Sequence, residues 1–406
     1  MSIGLTNRPL ELDTIVSKAL PNPTGEFPSD FLRVLTWCIE NSRVAEHHRA
    51  NFGIPVTKQG LESTKKQLLS LAKTLIGKAG QSWQWLYDHL EDDLSKQLLL
   101  NVLAYRSIGW RYVPMPLDSP AFWSEVQRFN ETEQTTCSHD RIDAGSLGIK
   151  LARFDLTSED VNIRVYSDSF GIVNEFMYSQ YVYRGQEKLL SPHPGDHIVD
   201  CGACFGGTSL FFADKVGPKG RVMSFEFFPA NINVFRKNME QNPDQKRRIK
   251  LVQAPVWSED GTTMKIQGSG PATQVQVAPS KSRRLKSFLK QAMKRSNAPS
   301  ATGSLESTKN FQVVTKTIDT TVAEQGWLSV DMIKMDIEGA ELAALRGARA
   351  TIETHKPTLA ICVYHKLADF YEIPQWLDSL GLGYKFYLQH SRVQGDETVL
   401  FANARH

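Results

Sequence analysis

The sequence predicts an α/β protein: a doubly wound, mostly parallel seven-stranded sheet preceded by a helical N-terminal region. Three observations carry this. From about residue 150, short apolar runs alternate with segments of helical spacing, the pattern of βαβ units. Before that point, apolar residues recur every three or four positions. The first apolar run of the alternating series, HIVD (197–200), opens directly into a glycine-rich turn, CGACFGG (201–207), with a helical pattern behind it. At 406 residues, 41% hydrophobic and 22% charged, the chain has the composition of an ordinary globular protein long enough for two domains. The change of texture divides it into a mostly helical region, 1–150, and an α/β domain, 151–406, with an insertion at 268–310.

In chain order, FLRVLTWCIENSRVAEHH places Phe31, Val34, Leu35, Cys38 and Ile39 on one helical face. ESTKKQLLSLAKTLIGKAGQSWQWLYDHL continues the period through Leu68, Leu69, Leu71, Leu75 and Ile76. EDDLSKQLLLNVLAYRSIGW is a third helix whose acidic first turn suits the macrodipole. The leucines and tryptophans here read as packing surface. These helices are expected to cover the mouth of an active site or to form a surface for a second copy, so a homo-oligomer is allowed. KLARFDL and VNIRVYS alternate as strands do. The series then runs HIVDCGA (strand), GGTSLFFADKV (helix), RVMSFEF (strand), PANINVFRKNMEQN (helix, with Pro229 in its first turn), IKLVQAPVW and VDMIKMD (strands). GAELAALRGARATIETH reads as one helix, TLAICVYH as a strand, IPQWLDSLGL as a helix, and YKFYLQH with ETVLFANA as a closing hairpin at one edge. Residues 268–310 break the pattern. They are rich in Gly, Ser, Pro, Ala and Thr around KSRRLKSFLKQAMKRS, which has seven Lys/Arg and no acid. The expectation is an inserted loop with a short basic amphipathic helix, against the sharper reading of a contact for an anionic polymer or membrane surface.

The bulk properties exclude several classes. A net charge of +3 is too small to imply a nucleic-acid partner. No stretch approaches the roughly 18–20 apolar residues of a membrane helix. MSIGLTNRPLELDTIVSK has no basic start followed by an apolar core, so the expected compartment is the cytoplasm. Five cysteines form no disulfide framework, and the single Cys-x-x-Cys, Cys201 and Cys204, has no second pair to complete a zinc site. Its neighbours are glycines and an Asp rather than those of a redox pair. The two cysteines therefore read as small loop residues, and no metal is expected.

The chemistry gathers where the strands end. In an open parallel sheet, ligands bind at the carboxyl ends of the strands. The loop after the first strand reads Asp200, Gly202, Ala203, then Gly206 and Gly207: Asp-x-Gly-x-x-x-Gly. A dinucleotide loop would be Gly-x-Gly-x-x-Gly, and here Cys204 stands where the middle glycine would approach a pyrophosphate. The spacing suits a nucleoside cofactor without a pyrophosphate, such as S-adenosylmethionine. It disfavours a nicotinamide dehydrogenase. Glu226 ends the second strand about twenty residues on, where a carboxylate accepts from both ribose hydroxyls. Phe227 follows it, Asn231 can support the ribose end, and Val256 with Trp257 can wall the adenine. Asp336, Glu338 and Glu341 lie within six residues after the fourth strand. The last two open a helix, where acids are favoured whatever the function, but Asp336 ends a buried strand and needs a partner. His365, at the tip of the fifth strand, can act as a base or hold a substrate.

VDCGACFGGTSLFFA, SFEFFPANINVFRKNM, IKMDIEGAELAALRGA, the stretch YHKLADFYEIPQWLDSLGLGYKF (364–386) and ETVLFANA together resemble the FkbM family of S-adenosylmethionine-dependent methyltransferases. The likeness covers about 165–406, and Asp-x-Glu-Gly-Ala-Glu is its most specific run. Two departures are visible: the usual Glu-Pro is Glu226-Phe227 here, and the basic insertion is foreign to the pattern. The resemblance implies the seven-strand methyltransferase fold and O-methylation of a sugar, glycan or natural product. It also implies S-adenosylmethionine held by Asp200, Gly202, Ala203, Gly206, Glu226, Phe227, Asn231 and Val256. Asp336 or His365 would be the base, and Glu338 would orient the acceptor. A nucleic-acid methyltransferase using the basic insertion is the alternative, though Asp-Ile-Glu-Gly replaces the Asn/Asp-Pro-Pro-Tyr/Phe expected for one. A non-catalytic module that binds cofactor or glycan is another.

Overall fold

The computed structural model describes residues 23–40, 61–110, 112–113, 115–144, 149–267, 274–277 and 311–404. Helices α1 (Phe27–Glu40), α2 (Leu61–His89) and α3 (Asp93–Ile108) lead the chain, and α4 (Pro120–Thr135) follows. The amphipathic spacing of α1 is realised: Phe31, Val34, Leu35, Cys38 and Ile39 are all buried. Asp92 starts α3 by accepting from the Ser95 N–H at 2.7 Å. Ser119 caps α4, whose Pro120 needs no donor in the first turn. The side chains of Leu68, Leu69, Leu71, Leu75 and Ile76 lie outside the described residues.

The strands of the central sheet, numbered in chain order, are β1 (His197–Cys201), β2 (Arg221–Phe225), β3 (Ile249–Val252), β4 (Met332–Met335), β5 (Thr358–Cys362), β6 (Lys385–His390) and β7 (Thr398–Asn403). Their spatial order is β6-β7-β5-β4-β1-β2-β3. All pairings are parallel except those of β7, which runs antiparallel to both β5 and β6. The hairpin β6–β7 thus closes one edge, as its sequence predicts. The order reverses at β1/β4, the topological switch point where α/β sheets bind ligands.

Alternate residues of each strand feed two cores. Val199, Met223, Ile333, Ile361 and Leu388 pack with α1, α2 and α3, while Ile198, Val222, Ala360 and Phe401 pack with α4 and the helices that follow β1 and β2. The N-terminal helices therefore share a core with the sheet. They also seal its open edge: Leu90 pairs with Phe386, the Glu91 N–H donates to Phe386 O at 3.0 Å, and Ser95 Oγ accepts from the Leu388 N–H at 2.9 Å.

KLARFDL and VNIRVYS form Lys150–Asp155 and Arg164–Ser167, which join Arg141–Asp143 in a separate antiparallel sheet. Two expectations are corrected. GAELAALRGARATIETH is two helices, α8 (Glu341–Arg346) and α9 (Arg349–His355), numbered after α5 (Gly207–Val216), α6 (Pro229–Gln241) and α7 (Ile318–Glu324). Gly347 stands at the break, and a Cβ there would lie 2.1 Å from Trp257 O, so only glycine fits. The insertion is not all loop: Gln274–Val277 is a strand, in an antiparallel sheet with Thr263–Gln267 and Phe311–Val314. The basic run 281–296 lies outside the described residues.

Candidate active site

The glycine turn between β1 and α5 is shaped by close approach. Gly202 has φ +82°, and a Cβ on it would stand 1.9 Å from Asp336 O. The turn after β1 is therefore pressed against the turn after β4, which only glycine allows. The Gly202 and Ala203 N–H groups donate to Phe225 O at 3.1 and 3.0 Å, tying the turn to β2. Asn238, buried on α6, donates to Phe205 O at 2.9 Å.

Asp200 stands behind this turn rather than in it. Its carboxylate is 0% exposed, accepts from Thr208 Oγ1 (2.9 Å) and Ser209 Oγ (2.6 Å), and lies 3.1 Å from Lys334 Nζ. Buried behind the turn, it braces the cradle through these partners. Lys334 lies beneath the loop and donates to Gly202 O at 2.9 Å. A lysine inside the apolar strand MIKM is the sequence signal that points to such a buried acidic partner.

Glu226, 7% exposed, is fixed at the tip of β2. Its Oε1 accepts from the Phe227 and Phe228 N–H groups, both at 2.7 Å, and its Oε2 from Asn231 Nδ2 at 3.2 Å. Burial, only partly offset by these donors, pushes its carboxyl above the usual range. Phe227 and Asn231 thus serve Glu226. Val256 is not brought into the cradle; it is buried in the apolar core and bridged to Lys316. Cys201 is fully buried, and burial pushes its thiol up, so it is no nucleophile. Cys204 lies exposed in the turn with φ +46°.

Asp336 follows β4 at the same sheet edge. Tyr364 Oη donates to its Oδ1 at 3.0 Å and Tyr181 Oη to its Oδ2 at 3.2 Å. Burial first, and then the charge of Asp336, keep both phenols protonated as donors. His365 Nε2 lies 3.5 Å from both Asp336 Oδ1 and Glu338 Oε2, and Nδ1 is 3.0 Å from Glu341 Oε1. Burial disfavours the imidazolium, but Glu341, Asp336 and Glu338 reverse this and push His365 up to about 9. Glu341 is more than a helix-opening acid: it is 0% exposed and also accepts from the Ile337 N–H at 2.9 Å. Glu338, at φ +57°, leaves its side chain 70% exposed. Among the described residues, the groups able to hold a metal are Asp336 with Cys362 and Glu397, and Asp336 with Glu341 and His365; Cys201 and Cys204 are in neither.

Residues 200–386 match the family profile described as the methyltransferase FkbM domain. The chain carries an FkbM-family methyltransferase domain. The match begins at Asp200 and ends in β6, so it spans the cradle, Glu226, Asp336 and His365. Among curated proteins, the chain is similar to "Methyltransferase 1" of Beauveria bassiana, at 29% identity over 39% of this chain and 61% of that protein. It is also similar to a protein-L-isoaspartate O-methyltransferase of Methanopyrus kandleri, at 27% identity over 23% of this chain and 42% of that one. The chain therefore spans less than two thirds of the length of either. Among solved structures, methyltransferase FkbM from Methylobacillus flagellatus aligns with a TM-score of 0.46 at 19% identity, over 81% of this chain and 60% of that one. Aeropyrum pernix fibrillarin, solved with S-adenosyl-L-methionine, aligns with a TM-score of 0.30 at 12% identity, over 63% of this chain and 90% of that one.

Two residues of the FkbM-domain site are not singled out by sequence pattern. Tyr364 directly precedes His365 at the tip of β5, so the strand-tip argument that identifies the histidine reaches it as well. Tyr181 lies before β1, outside the FkbM match, and only the fold brings it to Asp336.

Proposed function

We propose that the chain transfers a methyl group from S-adenosylmethionine to a hydroxyl of a small-molecule or glycan acceptor, with Asp336 receiving the hydroxyl proton. The observation that carries this is the position of Asp336: at the switch-point edge, against the glycine turn, held by two tyrosine hydroxyls and 22% exposed at its side chain. The residues suit the cofactor. Glu226 is anchored by two backbone N–H donors and Asn231 at the tip of β2, next to the Phe225 carbonyl that holds the glycine turn, where a carboxylate can receive a ribose. When bound, the cofactor supplies an electrophilic methyl on a sulfonium.

The chain's own task is then to orient the acceptor and remove its proton. An alcohol is a poor nucleophile near neutral pH, so a positioned base adds roughly 10²- to 10⁴-fold. His365, at about 9, already carries its proton at neutral pH and is a poor acceptor of another. That favours Asp336 as the base, with Tyr181 and Tyr364 fixing its two oxygens. Glu338, exposed at the rim beside His365, would orient the acceptor. The test begins with calorimetry using S-adenosylmethionine, with NAD as control. Micromolar binding lost in Glu226→Ala supports the reading, and no binding in the wild type defeats it. A screen of sugar acceptors with labelled cofactor follows. Asp336→Asn should lose roughly 10²- to 10⁴-fold in turnover with cofactor affinity retained. Full turnover in that variant would remove Asp336 from the role.

A further inference from the structure

We infer that Glu175, which lies before the FkbM match, receives the α-ammonium group at the methionine end of the cofactor. The inference rests on the S-adenosylmethionine reading above. Glu175 sits in a π-helical turn, Ile172–Met177, in which the Tyr178 N–H reaches back five residues to Val173 O at 2.8 Å. Such turns re-aim side chains and recur at functional sites. This one turns Glu175 onto the cradle: a Cβ on Gly207, the first residue of α5, would lie 1.8 Å from Glu175 Oε2. Gly207 is thus the residue that makes room for this carboxylate beside the glycine turn.

Among the described residues, no hydrogen bond or ion pair engages the Glu175 carboxylate. The charges of Asp168, Asp200, Lys334 and Arg392 act on it, and its own charge acts on the Cys204 thiol. Lys334 is committed to Asp200 at 3.1 Å, and Arg392 pairs with Asp396 at 3.3 Å. A partly buried carboxylate without a cation of its own is costly unless a ligand supplies one. Burial above all, then Asp168, pushes its carboxyl up to about 8, against the pull of Lys334 and Arg392. The cation it fits is compact and rich in donors, a primary ammonium. The cofactor carries one at its methionine end, which Glu175, beside the glycine turn, would hold.

Two probes separate the ends of the cofactor. S-adenosylhomocysteine keeps the ammonium, and 5′-methylthioadenosine keeps the nucleoside without the amino-acid end. In calorimetry, Glu175→Gln should bind S-adenosylhomocysteine about 10- to 100-fold more weakly and 5′-methylthioadenosine as well as the wild type does. An ammonium selects the ionised carboxylate, so wild-type affinity for S-adenosylhomocysteine should rise with pH up to about 8. Binding at pH 7 should also release part of a proton, read from buffers of different ionisation enthalpy. Glu175→Gln should abolish that release and Glu175→Asp should keep part of it. Equal S-adenosylhomocysteine affinity in wild type and Glu175→Gln overturns the inference, as does equal weakening of both probes, which marks a structural role. If the wild type binds neither probe, the cofactor reading falls and takes this inference with it. If it binds both and Glu175→Gln changes nothing, only the role of Glu175 falls.

Discussion

At the scale of single residues, the site is organised by charges whose partners come from distant parts of the chain. His365 is the clearest case. Three carboxylates, from Asp336, Glu338 and Glu341, surround an imidazole whose side chain is 8% exposed. Its folded value of about 9 lies above the unfolded 6.5, so its contribution to stability is fully present below pH 6.5 and is lost as pH rises through about 9. That contribution is on the order of 3 kcal/mol. Denaturant unfolding of wild type and His365→Gln should differ most below pH 6.5, and the gap should narrow as pH approaches 9. A gap independent of pH would mean that packing alone holds the ring. Lys334 and Asp200 follow another logic. Both are sealed from solvent, and their pairing fixes the glycine turn from beneath.

At the scale of elements, the decisive contact is between two turns. The turn after β1 meets the turn after β4 so closely that Gly202 has Asp336 O in the place of a side chain. Gly202→Ala must open that contact and also strain a backbone at φ +82°. The expected loss exceeds about 2 kcal/mol, together with weakened cofactor binding. Gly217 has φ +63°, and a Cβ added there would meet nothing within 4 Å. Gly217→Ala should therefore cost only its backbone strain, about 1–3 kcal/mol, and leave binding intact. Thermal unfolding of the two variants side by side checks the contrast.

Across the whole molecule, an N-terminal helix is tied to the sheet edge that carries the candidate site. Arg106 reaches from α3 to donate to Tyr364 O and, at 3.1 Å, to Gly395 O, with its guanidinium 5.5 Å from the Phe370 ring. One side chain thereby ties a helix to the strand tip that carries Tyr364 and to the connection between β6 and β7. Arg106→Met should leave two carbonyls without this donor and cost about 1–3 kcal/mol. Hydrogen exchange should then show faster opening at residues 391–397 than in the wild type. Unchanged exchange there would confine Arg106 to packing.

The seven strands, their alternation with helices, the edge hairpin, the glycine turn and Glu226 are legible in the sequence because each is written in local order: a period, a glycine, a strand end. Asp336 and His365 are legible as residues at strand tips, but their roles are not. Sequence alone leaves the base open between them, and only the fold surrounds His365 with three carboxylates and gives Asp336 two phenols. Tyr181, Arg106 and Glu175 lie far from their partners along the chain, and no local pattern sets them apart from ordinary packing residues. The same limit holds for Asp200, whose place before a glycine turn does not show that Lys334 arrives from a neighbouring strand. Periodicity determined which elements form and in what order, because side-chain burial acts over neighbouring turns and pleats. Which charges meet was decided by tertiary structure, because charge pairing depends on distance in space and on burial, and neither is encoded in spacing along the chain.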